Sequence, residues 1–282
     1  MIDGVPVNDM ENGWVYWSNW FGLDAITSQI QVQRGLGATK LAMPSVGGTM
    51  NILTQNTGGK RQIKFRQEYG TGNFLRTSMS YKSGTLKNGW GILFSGSYKQ
   101  GDGWVDALST QGGFYYLKVQ KKWKNHVTSL SGFGAPQQHG QRSYSQPVEY
   151  WDSEYASSLG IPDSLMDASR DNGLQFNQHW GYRTDASGKR QVQNERKNYY
   201  HKPQITLKDF WKINKKLSWS NIVYTSIGRG GGQRFFNSSS LILRDSTGLI
   251  DWDLMEDRNI EYPFFGDTIS TVNSNYHPTY HE

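Results

Sequence analysis

Polar and apolar residues alternate with a period of two through most of the sequence from residue 60 onward, and turn residues interrupt the alternation. Because successive side chains of a β-strand point to opposite faces, this pattern predicts strands with one apolar and one polar face. The apolar face of one segment carries Leu75, Thr77, Met79 and Tyr81, and the residues between them are polar. The pattern therefore indicates a mainly β fold.

Seven strands are predicted in this way, near residues 63–68, 75–82, 90–99, 115–123, 127–135, 205–213 and 217–227. Asn88 and Gly89, between the second and third strands, tolerate the positive φ that a tight hairpin needs. The links after the second, fourth and sixth strands are short, whereas those after the third, fifth and seventh run to about 14, 60 and 50 residues. We therefore expect an antiparallel meander with its long loops at one end.

Two architectures fit such a meander. An outer-membrane barrel combines short turns at one end with long loops at the other. A soluble antiparallel sandwich with one wet face is the alternative. The barrel is favoured because the polar face carries Lys, Arg, Gln and Ser, as a water-filled lumen does, and the apolar face often ends in Trp or Tyr near the turns.

Composition removes several other classes of protein. Only 35% of the 282 residues are hydrophobic, and no run approaches the roughly 18 apolar residues of a spanning helix. The absence of Cys excludes a disulfide scaffold and thiolate chemistry. The net charge of +6 could suggest nucleic acid, but the basic clusters lie beside predicted hairpin turns, so no nucleic-acid partner is expected. These clusters are Lys118, Lys121, Lys122, Lys124, Lys212, Lys215 and Lys216.

Residues 1–59 lack the alternation and contain three motifs in a fixed order. They are IDGVPVND from Ile2, LDAITSQIQVQRG from Leu23 and ATKLAMPSVGGTMNILT from Ala38. In this order the motifs resemble the second half of the plug domain of TonB-dependent outer-membrane receptors. The hairpin segments that begin at Tyr69 and Ile205, and the stretch from Lys87, resemble barrel strands of the same family.

The plug-like motifs contain residues whose types suit a compact fold. Gly35, Gly47 and Gly48 allow backbone conformations or close approaches that a Cβ would forbid. Arg34 is expected to be held by partners within the plug or the barrel wall. The residues assigned to the structural plug motif are Asp3, Gly4, Arg34, Gly35, Gly47, Gly48 and Asn51.

The resemblance implies part of a plugged transmembrane antiparallel β-barrel, with about seven strands, preceded by the C-terminal half of an α+β plug domain. Residues 1–59 would form the plug half, and residues 60–282 the N-terminal part of the barrel with its long extracellular loops. Members of the family have about 22 strands and a TonB-contacting segment that precedes the plug. The chain is therefore expected to be a fragment of such a receptor.

The same resemblance implies energy-coupled uptake across the outer membrane of a Gram-negative bacterium. The substrate would be scarce: a ferric siderophore or other chelate, haem, cobalamin or an oligosaccharide. Expected partners are outer-membrane lipid, the TonB complex and the substrate, with a surface lipoprotein as a further candidate. The alternative function is that of a non-transporting extracellular β-sheet protein that binds carbohydrate.

An aromatic segment follows the Asp3-Gly4 motif, where the resemblance implies a loop at the substrate-facing apex of the plug. Aromatic rings with interspersed amides suit stacking on planar ligands and directional hydrogen bonding. The same Trp residues can instead pack the plug against the barrel wall. The candidate substrate-binding residues are Asn8, Trp14, Tyr16, Trp17, Asn19 and Trp20.

No catalytic site, metal site or cofactor is predicted. His277 and His281 have the spacing of helical metal ligands, but Pro278 opposes a helix and no Glu follows the first His. The acids between Asp251 and Asp257 lack the spacing of a calcium loop. The chain contains neither a nucleophile elbow nor a complete dinucleotide fingerprint. We therefore do not expect an enzyme.

Overall fold

The computed structural model describes residues 1–9, 12–35, 47–142, 148, 151–162, 173–235, 242–261 and 278–281. These residues are mainly β, with two α-helices, α1 (Ser153–Ser158) and α2 (Trp252–Glu261), and short 3₁₀ turns at Trp17–Trp20, Leu23–Ala25 and Lys87–Gly89. No helix in the described ranges is both long enough and apolar enough to cross a membrane. The mainly β class predicted from the alternation is confirmed.

The strands are named here in chain order. They are β1 (Thr27–Arg34), β2 (Gly48–Thr54), β3 (Gln62–Gly70), β4 (Phe74–Lys82), β5 (Trp90–Asp102), β6 (Ser109–Trp123), β7 (His126–Gly134), β8 (Gln137–Gly140), β9 (Trp180–Thr184), β10 (Arg190–Asn194), β11 (Lys197–His201), β12 (Gln204–Lys212), β13 (Ser218–Ser226), β14 (Arg229–Phe235), β15 (Ile250–Asp251) and β16 (Pro278–His281). They form sheets of two, three and eleven strands.

The largest sheet contains the predicted meander. Its strands pair in the order β3-β4-β5-β6-β7-β12-β13, and every pair is antiparallel. The links 83–89, 124–125 and 213–217 lie at one end, the turn end, and the long connection 135–203 lies at the other, the loop end. The seven-strand prediction is confirmed, and these seven strands are called the wall.

One predicted loop length is wrong. The link after the third strand spans only residues 103–108, because β5 and β6 continue well beyond their predicted ends and stay paired as far as Asp102 and Ser109. The wall also extends at the loop end, where β8 continues β7, β11 leads into β12, and β14 continues β13. Strand β11 pairs with both β8 and β14, and β8 pairs with the loop-end part of β6. These three strands are called the wall extension.

The two faces of the wall differ as the alternation predicts. The outward face is apolar and exposed, with Phe65 at 69%, Phe94 at 42% and Leu117 at 48% of full exposure. Phe94 and Leu117 lie opposite each other across β5 and β6. The inward face is largely polar, and its small side chains, such as Ser95 and Thr206, are buried.

Residues 1–9, 12–35 and 47–55, called the N-terminal unit, pack against this inward face. Strands β1 and β2 form its two-stranded antiparallel sheet, and its core is shared with β5, β6 and β7 of the wall. The buried residues of this common core are Ile2, Val7, Trp20, Leu23, Ile26, Ile52, Leu93, Phe114, Tyr116, Phe133 and Ala135. The N-terminal unit therefore packs on the inward face, which is largely polar, through a cluster of apolar residues that the unit and the wall share.

Beyond the loop end, segments of two long loops fold together. β9 pairs with β10 and, in parallel, with β15, and α2 packs beside β9. Helix α2 was not predicted, and it contains most of the acids considered for calcium. Asp251 caps its first turn by accepting from Leu254 N at 2.9 Å, and both oxygens of Asp253 accept from Thr184. These acids therefore serve the structure. His277 lies outside the described residues.

Candidate functional site

The aromatic segment forms a loop whose base is held by its own polar side chains. Asn8 Nδ2 donates to the Gly13 carbonyl at 2.8 Å, and Asp9 N donates to the Trp14 carbonyl at 2.8 Å. Asn12 Oδ1 accepts from Trp14 N at 2.8 Å. Asn8 therefore shapes the loop through the backbone, and the loop presents its rings from a fixed base.

The six candidate residues do not share one environment. Trp14, Tyr16 and Trp17 are 70%, 47% and 58% exposed, whereas Trp20 is only 4% exposed and Asn19 only 9%. The three exposed rings are therefore available to a ligand. Asn19 and Trp20 belong instead to the packing of the N-terminal unit against the wall.

Trp20 and Asn19 anchor the loop to β7 and β8. The Trp20 ring lies 5.6 Å from the Phe133 ring, and Asn19 Oδ1 accepts from Gln137 Nε2 at 3.1 Å. A buried amide costs free energy unless it is paired, so this bond fixes the position of the 3₁₀ turn. The packing role that the sequence left open for the Trp residues applies to Trp20.

Next along the chain, Phe21 and Gly22 pack against β6, the ring over a glycine and the glycine against a ring. The Phe21 ring lies over Gly112, where a Cβ would come within 2.8 Å of it, and the ammonium group of Lys99 sits 4.0 Å from the ring centroid. Gly22 has a φ of 90°, and a Cβ there would lie 2.7 Å from the Cβ of Phe114. The loop and the wall are therefore packed without spare volume at this point.

A charged contact follows at Asp24. Arg76, on β4, donates from both terminal nitrogens to the two carboxylate oxygens, at 3.0 and 2.8 Å. Glu68 lies on the other side of Arg76, at 3.6 Å. Burial raises the pKa of the Asp24 carboxyl, but the hydrogen bond and the charge of Arg76 outweigh burial and hold it below its usual value. Asp24 is therefore an anion that fastens the loop to the wall.

A second polar contact holds the beginning of the unit. Asp3 accepts from the backbone N and the Oγ1 of Thr54, at 2.9 and 2.7 Å, and Lys208 on β12 donates to the Asp3 carbonyl. Thr54 Oγ1 also accepts from the Tyr116 hydroxyl at 3.0 Å, and Lys118 donates to the Gln55 carbonyl at 3.2 Å. Wall lysines thus hold the two ends of the unit together.

The remaining plug-motif residues have local roles. Asp3 and Gly4 both have positive φ, and Gly4 N donates to Asn51 Oδ1 at 2.9 Å. Gly48 has a φ of 127°, and a Cβ there would strike the Gln33 carbonyl across the β1–β2 pair. Gly35 and Gly47 have open space at the Cβ position, although the φ of Gly35 is 73°. Arg34 is exposed and makes no ion pair within the described residues, and the expectation that partners hold it stays a prediction.

Two features near the loop were not anticipated from the sequence. Tyr200, on β11, faces the loop: burial raises the pKa of its phenol, and the nearby Asp9 and Tyr16 raise it further. Its ring lies against Gly230, where a Cβ would come within 2.8 Å. Beneath the loop, a cavity of about 290 Å³ is lined by Val7, Asn8, Val15, Trp17, Trp20 and Met50, among others.

The sequence carried weak signals for these features. The tyrosine pair at 199–200 and the glycine run at 230–232 indicate an aromatic ring over a bare strand, but not which strands are neighbours. For metals, the described residues include no group of three or more His, Cys, Asp or Glu side chains that could hold an ion.

No family model and no curated protein matches the chain. Solved structures do. The ferric citrate transporter FecA in its unliganded form has a TM-score of 0.57 and 14% identity, over 84% of this chain and 32% of that one. The open form of the ferric-catecholate import receptor Fiu from E. coli K12 has a TM-score of 0.54 and 13% identity, over 79% and 32%. The siderophore receptor PiuA from Acinetobacter baumannii has a TM-score of 0.53 and 15% identity, over 74% and 27%.

These similarities show the fold. The chain has the fold of part of a TonB-dependent siderophore receptor, and it spans about a third of the length of the solved receptors that it matches. The predicted fold class, part of a plugged antiparallel β-barrel, is confirmed, and the described sheet is open.

Proposed function

We propose that the chain is part of a TonB-dependent outer-membrane receptor that takes up a scarce substrate by energy coupling. Residues 1–59 are the C-terminal half of the plug, and residues 60–282 begin the barrel and carry its extracellular loops. The substrate is a ferric siderophore or other chelate, haem, cobalamin or an oligosaccharide. Partners are the TonB complex, outer-membrane lipid and a surface lipoprotein, in a Gram-negative outer membrane.

The observation that carries this proposal is the reversal of the usual sheet polarity. The N-terminal unit covers the polar face of the wall, and the apolar face is left exposed across β3, β4, β5 and β6, at Ile63, Phe65, Phe94 and Leu117. In water, contiguous apolar surface of this extent is unfavourable. In a bilayer it is the required outer surface of a barrel. A soluble carbohydrate-binding module would instead bury that face.

The aromatic loop, residues 8–9 and 12–20, is called the apical loop and supplies the substrate contacts in this proposal. Trp14, Tyr16 and Trp17 present exposed rings on the loop-end side of the N-terminal unit, and Tyr200 faces them from the wall extension. Planar chelates and sugar rings both stack on such rings, and the hydroxyls of the two tyrosines add hydrogen bonds. Asn19 and Trp20 hold the loop in place and make no substrate contact.

The seating of the plug suits a part that must move. Its polar contacts with the wall, Asp24 with Arg76 and Asp3 with Lys208, are bonds that water replaces at modest cost when the two surfaces separate. A force applied to the plug by the TonB complex would break them in sequence. The shared apolar core would hold the plug against the wall until such a force acts.

The test is ligand binding by the receptor that contains this chain. Trp17→Ala should weaken binding about 5- to 150-fold, equivalent to about 1 to 3 kcal/mol of stacking, with heat-modifiable mobility in gels unchanged. Trp90→Ala is the matched control, since Trp90 is also half exposed but lies at the turn end of the outward face. The ligand panel contains ferric catecholate, ferric citrate, haem, cobalamin and an oligosaccharide.

Three outcomes would count against the proposal. Failure of every ligand to bind would remove the uptake function. Equal effects of the two Trp variants would remove the apical loop as the site. Binding of the oligosaccharide by the chain in water, without detergent or lipid, would support the carbohydrate-binding alternative.

A further inference from the structure

An aromatic row crosses the outward face of the wall close to its turn end. Trp123, His126, Trp211 and Trp219 lie opposite one another on β6, β7, β12 and β13. The His126 ring is stacked between Trp123, at 4.5 Å, and Trp211, at 5.1 Å, with interplanar angles of 12° and 13°. The row therefore forms an aromatic band that crosses four strands over about 14 Å, at about 4.8 Å per strand.

Such a row marks the depth of the wall in a membrane. Indole rings prefer the headgroup level of a bilayer, where the ring is apolar and the N–H finds a polar partner. Trp219 Nε1 donates to Asn221 Oδ1 at 2.7 Å, and on the far side of the row from the turns the outward residues become Leu130, Leu207 and Val223. The hairpin turns beyond the row therefore lie at the level of the lipid phosphates.

Those turns are basic and side by side. Lys124 lies in the turn between β6 and β7, and Lys215 and Lys216 lie in the turn between β12 and β13. Lys212 N donates to the Asn125 carbonyl at 2.9 Å, which ties the two turns together. Asn214 Oδ1 accepts from Lys216 N at 2.8 Å and from Leu217 N at 2.9 Å, so the second turn has a fixed shape.

The three turn lysines are exposed, and none has an ion-pair partner within the described part of the chain. The nearest acid on the outward face of these strands is Asp209. Its carboxylate already accepts from Thr128 Oγ1 at 2.6 Å and lies 3.4 Å from His126 Nδ1. Among the described residues, therefore, no acid balances the positive charge at this rim.

We infer that this rim, Lys124, Lys215 and Lys216 beside the row of Trp123, His126, Trp211 and Trp219, binds the phosphate headgroups of anionic glycerophospholipid in the inner leaflet of the outer membrane. Lysines at membrane level attract anionic lipid, and the aromatic row lies at the boundary between headgroups and acyl chains beside them. The inference rests on the membrane placement proposed above. It adds a lipid partner that is selected by charge as well as by apolar contact.

The experiment compares flotation of the full chain with vesicles of phosphatidylcholine alone and of phosphatidylcholine mixed with phosphatidylglycerol, at low and high salt. The wild-type chain should prefer the anionic vesicles, and high salt should remove the preference. Each of Lys124→Gln, Lys215→Gln and Lys216→Gln should reduce the preference about five-fold, equivalent to about 1 kcal/mol. Binding to phosphatidylcholine alone should not change.

A control variant removes three positive charges at or beyond the loop end of the wall. Lys189→Gln, Lys202→Gln and Arg229→Gln together change the net charge as much as the triple rim variant does. If the control loses the preference equally, net charge alone explains it and the inference is wrong. If the triple rim variant keeps the preference, the rim is not the site. A chain that floats with neither type of vesicle would instead refute the membrane placement, which separates the two proposals.

Discussion

Replacing Gly22 by Ala tests how closely the chain that follows the apical loop packs against β6. The backbone there has a φ of 90°, and an added Cβ would lie 2.7 Å from Cβ and 2.8 Å from Cδ1 of Phe114. Phe114 is only 3% exposed, so its ring cannot swing into solvent. The left-handed backbone costs a residue with a Cβ about 1 to 2 kcal/mol. Overpacking adds about 1 to 3 kcal/mol. We expect the free energy of unfolding to fall by about 2 to 5 kcal/mol.

Gly13→Ala separates these two costs. Gly13 has a φ of 73°, but nothing lies within 4 Å of a Cβ placed there, so only the backbone cost applies. Urea unfolding of the chain in detergent, followed by Trp fluorescence, should give a larger loss for Gly22→Ala than for Gly13→Ala by about 1 to 3 kcal/mol. In a Phe114→Ala background, the extra loss at Gly22 should disappear. Equal losses in the two glycine variants would refute the steric argument.

Three further variants test contacts within the N-terminal unit and between it and the wall. Asp24→Asn should cost about 0.5 to 1 kcal/mol at neutral pH, because half of this side chain is exposed to screening solvent. Since the folded pKa of Asp24 is depressed, its stabilisation is complete above the unfolded carboxyl pKa and is lost as pH falls through the folded value. Unfolding midpoints measured from neutral into acid pH should therefore fall less in the variant, and parallel curves would contradict this. Trp20→Ala should lower the free energy of unfolding by about 3 to 5 kcal/mol, against less than about 1 for Trp17→Ala, in the same urea assay; similar values would contradict the difference in burial. Asp3→Asn keeps the positive φ but removes the charge, and should cost about 1.5 to 3 kcal/mol and speed tryptic cleavage of the unit, whereas an unchanged cleavage rate would contradict its role.

Much of the wall could be predicted from residue types alone. In β4 and β5 the outward face is apolar and the inward face is polar, so the alternation of Met79 and Tyr81 with serines indicates which face each residue occupies. Asn88 and Gly89 have the positive φ that their sequence indicates, at 61° and 77°. The ends of β5 and β6 could not be predicted, because Gly112 and Gly113 interrupt the apolar alternation but remain paired inside β6.

In the candidate loop, too, residue type predicts the side-chain chemistry but not the burial. Residue type identifies Trp14, Trp17 and Trp20 equally as aromatic anchors, and nothing local distinguishes them. Only the approach of β7, more than a hundred residues later in the chain, buries Trp20 against Phe133 and leaves Trp17 exposed. The prediction grouped them as candidate substrate-binding residues and left open whether any of them packs against the barrel wall, and only the fold separates buried Trp20 from exposed Trp17.

Properties that depend on near neighbours could be predicted from residue types: the strands of the wall, the face that each side chain occupies, and the glycines that permit left-handed turns. The pairings between distant residues, such as Asp24 with Arg76 and Asp3 with Lys208, became known only from the fold. The physical reason is the range of the interactions. Alternation and turn geometry are set by the backbone within a few residues, whereas a salt bridge or a buried ring needs a partner that only the folded sheet brings within reach.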